Sequence, residues 1–365
     1  MSTSTSTSKP KVLITGVSGY LGSFICKTFL EHGGFDVRGT VRDKSNESKI
    51  KPLRVGYGDD LFSRLDLVEA DLLNEDSILA AAEGCDYIVH TASPVCDLNA
   101  VFENEEDVIK PAVGGTLAIM KAAHKNKVKK VVITSSIAAI VGGNEGNAKS
   151  LTEEDWTDIN KKGLKTYFKS KTLGEKAAWD FVADLPDDEK ISIVTINPSI
   201  IMGPNISTSS ENINFGKDLM LGRYPMLPKQ TMPFVDIRDV CEAHLEAVLR
   251  DEANDKRFIL CAECPYLVEL AKALEQKFGK DYPVRAKEMP KIIPMIMRLW
   301  NAEMAVIYRH WGKGHVFDGS RATEILGIEY IGHEKSLVDM GESLIATGCI
   351  ADSRGLEAVT LTCAR

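Results

Sequence analysis

The chain has 365 residues, and its 44% hydrophobic and 26% charged content is typical of a globular protein and excludes whole-chain disorder. At about 150 residues per domain, this length allows two domains. The net charge of −8 argues against a nucleic-acid-binding protein with a basic face, and the sequence has no uninterrupted apolar run long enough for a membrane span.

The amino-terminal segment and the cysteines bear on the cellular compartment. Residues 1–10 are rich in Ser and Thr and lack the apolar core of a signal peptide. We therefore expect a disordered leader, a cytoplasmic location and reduced thiols. The closest cysteine pair, Cys261 and Cys264, has no further ligands nearby, so we expect buried thiols and no metal site.

Short apolar runs alternate with amphipathic stretches through the first half of the chain. Strands are predicted at Val12–Ile14, Asp36–Val41, Leu67–Ala70, Tyr87–Val89, Lys130–Thr134 and Ile191–Ile196, and helices at Leu21–Leu30, Ala112–His124 and Tyr167–Phe181. Strand–helix alternation indicates parallel pairing with right-handed crossovers. The predicted fold class is α/β: a Rossmann-type doubly wound parallel sheet with a smaller, irregular C-terminal substrate lobe.

After Pro198 the regular alternation ends in a stretch rich in Pro and Gly. Further helices are predicted at Asp239–Leu249, Tyr266–Phe278 and Ile292–Tyr308. The last of these is rich in Met and Trp, which indicates ordinary core or the wall of an apolar pocket.

The first strand runs directly into a glycine-rich turn, residues 15–22 with the sequence TGVSGYLG, and a helix begins at once. GxxGxxG in this setting is typical of dinucleotide-binding loops, where phosphates lie at a helix N-terminus. The first glycine permits the tight turn, the second lets the backbone approach the pyrophosphate, and the third lets the helix pack on the strand. We predict cofactor contacts from Gly16, Ser18, Gly19, Tyr20, Leu21 and Gly22.

The second strand ends in Arg42 rather than in the carboxylate that holds a ribose 2′-hydroxyl in NAD sites. A guanidinium can bind a 2′-phosphate, with Lys44 or Lys49 adding charge, so NADP(H) is the predicted cofactor. Asp43 leaves NAD open, because its carboxylate could point at a ribose.

Further cofactor contacts are predicted at the ends of the third and fourth strands. They comprise Asp71, Leu72, Thr91, Ala92 and Ser93. Asp71 fits an adenine contact or a helix N-cap equally well. His90 fits a buried, hydrogen-bonded histidine better than a proton donor.

A candidate catalytic set follows the fifth strand. The strand ends in Ser135-Ser136, and downstream Tyr167 and Lys171 are four residues apart, so on a helix they share one face. An ammonium beside a phenol favours the phenolate and lowers its pKa, and the same lysine can bind the nicotinamide ribose. A strand-end serine can hold a substrate carbonyl while Tyr167 gives the proton and the cofactor gives the hydride. Taken alone, YxxxK is more often a solvated helix face; with the glycine loop it predicts an NADP-dependent oxidoreductase.

These segments resemble the extended short-chain dehydrogenase/reductase family, and within it the dihydroflavonol reductase-like group, which includes cinnamoyl-CoA reductases and aldehyde or ketone reductases. The resemblance runs from about Lys11 to Ala346. It rests on TGVSGYLG, GTVRD, VHTASP, VVITSSIAA, YFKSKTLGEKAAW, INPSIIMGP, FVDIRDVCEAH and FDGSRATEILGIEY.

The resemblance also implies roles for individual residues. It implies a Ser–Tyr–Lys catalytic set at Ser136, Tyr167 and Lys171, with Ser136 preferred over Ser135 because it immediately precedes IAA. It implies phosphate contacts from Arg42 and Lys49. It implies nicotinamide contacts from the loop after the sixth strand, here Pro198 and Ile200.

Departures from the family bear on the substrate. Dihydroflavonol reductases carry Asn and Gln where this chain has Val141 and Pro233, and the NWYCY motif of plant cinnamoyl-CoA reductases is replaced by residues 165–169, KTYFK. The predicted pocket is apolar and comprises Val95, Ile137, Val141 and Ile201, with the Met-rich helix near Trp300. We expect a small-molecule carbonyl substrate, an aromatic or medium-chain aldehyde or ketone.

Three alternatives stay open: a dihydroflavonol or cinnamoyl-CoA-type reductase, a nucleotide-sugar epimerase and a non-enzymatic NADP-binding sensor. The predicted domains are a leader at 1–10, an NADP-binding domain at 11–197 to which 233–250 returns, a substrate lobe at 198–232 and 251–348, and a tail at 349–365. We expect a monomer or homodimer with neither a nucleic-acid nor a membrane partner.

Overall fold

The computed structural model describes residues 9–93, 104–143, 150–206 and 210–352. Two compact units emerge from the contacts within the chain. Unit 1 combines described residues of 1–135, 162–196 and 241–257, and unit 2 those of 136–161, 197–240 and 258–365. The predicted division into a cofactor domain and a substrate lobe concerns ligands and stays a prediction.

The strands form a large sheet and a small one. They are β1 (Lys11–Thr15), β2 (Asp36–Val41), β3 (Asp66–Glu69), β4 (Tyr87–His90), β5 (Lys130–Thr134), β6 (Ser192–Pro198), β7 (Ile200–Met202), β8 (Phe234–Asp236) and β9 (Lys256–Leu260). The seven-stranded sheet has the order β3-β2-β1-β4-β5-β6-β9, and its strands from β3 to β6 pair in parallel. Strands β7 and β8 form a separate parallel pair. The order reverses between β1 and β4, so the predicted doubly wound α/β fold is confirmed.

Thirteen α-helices lie in the described part of the chain. They are α1 (Tyr20–His32), α2 (Glu47–Tyr57), α3 (Asp59–Ser63), α4 (Glu75–Ala81), α5 (Glu106–Lys125), α6 (Ala138–Val141), α7 (Thr166–Ala183), α8 (Glu211–Met220), α9 (Ile237–Leu249), α10 (Leu267–Phe278), α11 (Ile292–Met297), α12 (Ala302–Arg309) and α13 (His333–Ala346). Short 3-10 turns lie at Asp187–Glu189 and Asp251–Ala253, and a π-helical turn at Ala322–Leu326.

The core of unit 1 explains why its strands are continuous apolar runs. Leu13, Ile88, Val131 and Ile193, from four neighbouring strands, are fully buried in one cluster with Ile119 of α5. A parallel strand covered by helices on both faces has no solvent side, so its residues do not alternate between apolar and polar. This packing holds the carboxyl ends of β1, β4 and β5 in fixed relative positions.

The segment Ile292–Tyr308 differs from the single helix predicted. It forms α11 and α12, because the side chain of Asn301 accepts a hydrogen bond from the Met304 N–H at 3.0 Å and starts a new helix there. Its apolar side chains are only partly core: Pro294 is buried, whereas Trp300 is 68% exposed.

The two closest cysteines also differ from expectation, since Cys261 and Cys264 are only half-buried, with their Sγ atoms 3.8 Å apart. Across the described residues, no group of three or more His, Cys, Asp or Glu side chains could hold a metal ion. In the same part of the chain, no helix is long and apolar enough to cross a membrane.

Candidate active site

The glycine-rich turn between β1 and α1, which we call the glycine cradle, packs too closely for a side chain at Gly22. Gly16 has φ +73°, a left-handed conformation that favours glycine. A Cβ atom at Gly22 would lie 2.3 Å from the Gly16 carbonyl oxygen and 2.8 Å from Thr91 Oγ1. Gly19 is the N-cap of α1, and the first-turn N–H groups of a helix lack intrahelical acceptors. The cradle therefore fits a pyrophosphate placed at the start of α1.

The end of β4 is fastened to the end of β1 beside this cradle. Thr15 Oγ1 accepts hydrogen bonds from the N–H groups of Thr91 and Ala92, both at 3.1 Å. The Thr91 hydroxyl donates to the Thr15 carbonyl at 2.5 Å. Two predicted cofactor residues thus line up next to the glycine turn.

His90 is buried, and its Nδ1 lies 2.9 Å from Thr15 Oγ1. Burial, with a smaller contribution from the Lys171 charge, lowers the pKa of His90 to about 3. The ring is therefore neutral at neutral pH, as expected for a hydrogen-bonded core histidine.

The predicted phosphate-binding cations, in the loop after β2 and the first turn of α2, face solvent. Arg42 and Lys49 are both exposed. The carboxylate of Asp43 accepts from the Ser45 hydroxyl at 2.6 Å and the Ser45 N–H at 2.8 Å, and these bonds lower the pKa of Asp43. The Asp43 carboxylate is thus already hydrogen-bonded to Ser45, which weakens the interpretation of Asp43 as a ribose ligand.

The segment after β3 closes a turn of its own. Asp71 Oδ1 accepts from the Leu73 N–H at 3.0 Å. The N-cap of α4 is Asn74, whose side chain accepts from the Ser77 N–H, so the alternative of Asp71 as the cap is wrong. Leu72 points back toward α5, where a Cβ on Gly115 would lie 3.3 Å from Leu72 Cδ1.

Tyr167 and Lys171 share one face of α7, as their spacing predicts. Lys171 Nζ lies 5.8 Å from the centre of the Tyr167 ring and donates a hydrogen bond to Ser93 Oγ at 3.2 Å. A cavity of about 30 Å³ adjoins Lys171; it is lined by Leu72, His90, Ala92, Ser93, Ala112, Thr116, Ile133, Thr134, Ser135, Ser170, Lys171, Gly174 and Glu175. Helix α7 therefore brings the lysine to the carboxyl end of β4.

A larger depression of about 440 Å³ lies elsewhere in unit 1. Its walls include Lys11, Asp36 and Arg64, so it opens at the amino ends of β1 and β2. Ligands of open α/β sheets bind at the carboxyl ends of the strands, so we assign the active site to the smaller cavity.

The sequence analysis missed a buried ion pair beneath this site. Glu175 is fully buried and accepts from Arg257 Nε at 2.6 Å, from Thr195 Oγ1 at 3.1 Å and, through a very short bond, from Ser135 Oγ. Glu175 follows Lys171 by four residues, and this i,i+4 spacing on one helix face was the available signal. The hydroxyl of Ser135 is thereby engaged with α7.

The remaining predicted residues of the described chain lie in unit 2. Ser136 is half-buried, and its Oγ accepts from the Ala138 N–H at 3.1 Å while Asn197 Nδ2 donates to its carbonyl at 3.2 Å. The Ile137 N–H donates to the Pro198 carbonyl at 3.1 Å. These hydrogen bonds hold the start of α6 at the end of β6, so the predicted residues Ser136, Ile137 and Pro198 lie close together.

The other predicted pocket and nicotinamide residues are spread over neighbouring elements. Val141 is buried at the end of α6, while Ile200 and Ile201 are half-buried in β7. Val95 lies outside the described residues.

Comparison with known proteins agrees with this architecture. A model of the NAD dependent epimerase/dehydratase family matches residues 12–261. Tetraketide alpha-pyrone reductase 1 of Arabidopsis thaliana is 33% identical over 353 residues, which cover 94% of this chain and 98% of that protein. Cinnamoyl-CoA reductase 1 of the same plant is 30% identical over 346 residues, which cover 93% and 90%.

A solved structure agrees as well. Gre2 of Candida albicans in complex with NADPH has a TM-score of 0.70 at 26% identity, covering 92% of this chain and 98% of that one. The resemblance stated from the sequence motifs is confirmed. The chain belongs to the NAD dependent epimerase/dehydratase family and, within it, to the extended short-chain dehydrogenases/reductases.

Proposed function

We propose that the protein is an NADPH-dependent reductase that transfers a hydride to the carbonyl of an aromatic or medium-chain aldehyde or ketone, with Tyr167 as proton donor. The observation that carries this proposal is the position of Lys171, which lies against the Tyr167 ring and donates to Ser93 at the end of β4. Membership of the family and the reductase relatives make the chain an oxidoreductase of carbonyl or CH–OH groups.

The chain offers a fitting place for a dinucleotide. The glycine cradle at Gly16, Gly19 and Gly22 would take the pyrophosphate, and Arg42 with Lys49 would take the 2′-phosphate. Gre2 of Candida albicans, which is 26% identical, has been solved with NADPH. When bound, NADPH supplies the hydride.

Each catalytic residue then has one or two tasks. The phenol of Tyr167 gives its proton to the carbonyl oxygen as the carbonyl carbon is reduced, so the product is an alcohol. The Lys171 ammonium stabilises the phenolate that remains and binds the nicotinamide ribose. The Ser136 hydroxyl holds the substrate oxygen. Ser135 is the weaker choice for that task because its hydroxyl donates to Glu175.

The substrate class rests on the apolar positions around Ser136. Ile137 and Val141 offer no side-chain hydrogen-bonding group, and Pro233 replaces the polar residue of dihydroflavonol reductases. A second candidate, a flavonoid- or cinnamoyl-CoA-type reductase, is favoured by the relatives that carry such names. A cytoplasmic location and a monomeric or homodimeric state stay predictions.

The test is NADPH oxidation across a carbonyl panel of aryl aldehydes, medium-chain ketones, diketones, α-keto esters, a dihydroflavonol and a cinnamoyl-CoA. We expect the highest kcat/KM for a simple aryl or alkyl carbonyl. If the dihydroflavonol or the cinnamoyl-CoA gave the highest value, the second candidate would replace the first. Tightly bound NAD in the purified protein would favour an epimerase, and NADPH binding without any turnover would favour a sensor.

A further inference from the structure

Exposed apolar side chains are concentrated in one short segment of unit 2. Of the ten large apolar side chains exposed in the described part of the chain, seven lie between residues 292 and 316: Ile292, Met295, Ile296, Leu299, Trp300, Val306 and Val316. Leu299 and Trp300, at the turn between α11 and α12, are 76% and 68% exposed. A concentration of exposed apolar side chains of this kind marks an interaction site.

The two helices form a braced structure, which we call the helix pair (residues 291–313). The guanidinium of Arg298 lies 4.2 Å from the centre of the Tyr308 ring, and Lys291 Nζ lies 5.7 Å from it. Such cation–π contacts link α11 to α12. The turn that carries Leu299 and Trp300 is therefore held in place by contacts between the two helices.

Both ends of the helix pair are hydrogen-bonded to one short segment of unit 2, residues 227–229. Before it, the Met289 N–H donates to the Leu227 carbonyl at 2.7 Å. After it, the Gly312 N–H donates to the Lys229 carbonyl at 2.7 Å. The apolar side chains are thus exposed on a segment whose two ends are hydrogen-bonded to the rest of unit 2.

The helix pair is basic although the chain is acidic. It carries four exposed cations, Lys291, Arg298, Arg309 and Lys313, against one acidic residue, Glu303. The formal charge of residues 291–313 is therefore +3, whereas that of the whole chain is −8. Apolar side chains between cations, with a Trp at the turn, have the composition of a segment that lies in a membrane interface.

We propose that the helix pair docks on an anionic lipid surface, with the side chains at its turn inserted among the headgroups and the cations facing the phosphates. Its helices have six and eight residues, which suits attachment to one leaflet and not a span. A symmetric contact between two copies would bring the two +3 segments together, and like charges oppose such a dimer. This proposal departs from the sequence-based expectation of no membrane partner.

The test is co-sedimentation of the full chain with vesicles. We expect binding to vesicles of equal parts phosphatidylcholine and phosphatidylserine, weaker binding to phosphatidylcholine alone, and loss of binding as salt is raised. The double variant Leu299→Ser/Trp300→Ser should lower the lipid-bound fraction about tenfold or more. The matched control is Val55→Ser, because Val55 is 67% exposed on α2 of unit 1 and should leave binding unchanged.

Tryptophan fluorescence, as a second measurement, distinguishes loss of lipid binding from misfolding of a variant. Vesicles should shift the tryptophan emission of the wild type, and Trp300→Phe, a conservative change at an exposed position, should remove most of that shift. Circular dichroism should show the same helix content in all variants. The proposal is overturned if wild type ignores anionic vesicles, if the double variant binds as wild type does, or if the wild type is instead a dimer that the double variant dissociates.

Discussion

Tyr167 and Lys171 are the two residues on which the proposed chemistry depends most directly. The phenol and the ammonium lie on one face of α7, and the ammonium also donates to Ser93. In the proposed mechanism, Tyr167 has a single role, proton transfer, whereas Lys171 has two, stabilisation of the phenolate and binding of the nicotinamide ribose. Substitutions should separate these tasks.

Tyr167→Phe keeps the ring but removes the transferable proton. Since a general acid contributes about 10²- to 10⁴-fold, kcat for carbonyl reduction should fall by at least about 10²-fold, with little change in NADPH affinity. The matched control is Tyr87→Phe, because Lys129 Nζ lies 6.0 Å from the Tyr87 ring at the opposite end of β4. Near-wild-type turnover in Tyr167→Phe would refute the assignment of the proton donor.

Lys171→Ala and Ser136→Ala should each differ from Tyr167→Phe in their effects on kcat and on NADPH affinity. Loss of the ammonium should lower both kcat and NADPH affinity, because in the proposed mechanism Lys171 stabilises the phenolate and binds the ribose. Loss of the Ser136 hydroxyl should lower kcat less than Tyr167→Phe does, since it removes one hydrogen bond and no transferred proton. Steady-state kinetics and fluorescence titration with NADPH distinguish the two effects.

His90 gives a prediction about pH and stability. Burial lowers its pKa from 6.5 to about 3, so the unfolded state binds the extra proton first as the pH falls. The stability present above pH 6.5 is therefore lost progressively toward pH 3, by on the order of 5 kcal/mol.

The measurement for His90 is urea unfolding of wild type and His90→Asn between those pH values. Asn offers an oxygen as acceptor for Thr15 Oγ1 but does not titrate, so the variant should lose less stability over this range. Carboxyl groups titrate there too, and the comparison removes their common contribution. Parallel curves for the two proteins would contradict the low pKa of His90.

At the scale of elements, the sequence predicts best where the packing is simplest. β2 and β5 have the predicted bounds. β5 is a buried, mainly apolar run, as expected of a parallel strand covered on both faces. Helices α3 and α4 were missed because they are short and bury few residues: α3 buries none and α4 buries two. Helix α2 was missed although it buries Ile50, Leu53 and Tyr57. Helix α13 was also missed, although its buried Leu337, Met340 and Leu344 recur at helical spacing.

The break between α11 and α12 has a different cause. The apolar periodicity continues through Ile292–Tyr308, but the Asn301 side chain caps a new helix inside it. Hydrophobic pattern alone therefore predicted one helix and did not distinguish core from exposed surface. Only tertiary contacts decide which face of such a segment is covered.

The Glu175–Arg257 pair connects α7 to β9, and Thr195 of β6 joins it. Removing one partner of a buried pair leaves an uncompensated charge, so Arg257→Met should lower the free energy of unfolding by about 3–5 kcal/mol. The double variant Glu175→Gln/Arg257→Met carries no such charge and should be more stable than Arg257→Met alone. Urea unfolding of the four proteins in this cycle measures the coupling; additive effects would contradict it.

At the scale of the whole molecule, much of the candidate site could be predicted from sequence because it lies at the ends of predicted elements. The glycine cradle follows β1, Ser93 follows β4, and Tyr167 with Lys171 lies at the start of α7. Glu175 was missed because its partners come from distant parts of the chain. The substrate positions could not be predicted as firmly, since a pocket wall depends on packing and not on a motif.

Cofactor choice gives a prediction about the stability of the whole protein. A ligand that binds only the folded state at one hundred times its Kd raises the free energy of unfolding by about 2.7 kcal/mol. Because Arg42 stands where an NAD site has a carboxylate, NADPH should raise the unfolding temperature more than NADH does at the same concentration.

Arg42→Ala should abolish most of this difference between the two cofactors. Loss of a charge-assisted contact with the 2′-phosphate should weaken NADPH about 10- to 100-fold, which is about 1.4–2.7 kcal/mol, and leave NADH nearly unchanged. Arg285→Ala is the matched control, because Arg285 is an exposed guanidinium of unit 2. If wild type were stabilised equally by both cofactors, the 2′-phosphate would have no binding site at Arg42, and Asp43 would become the residue to test as a ribose ligand.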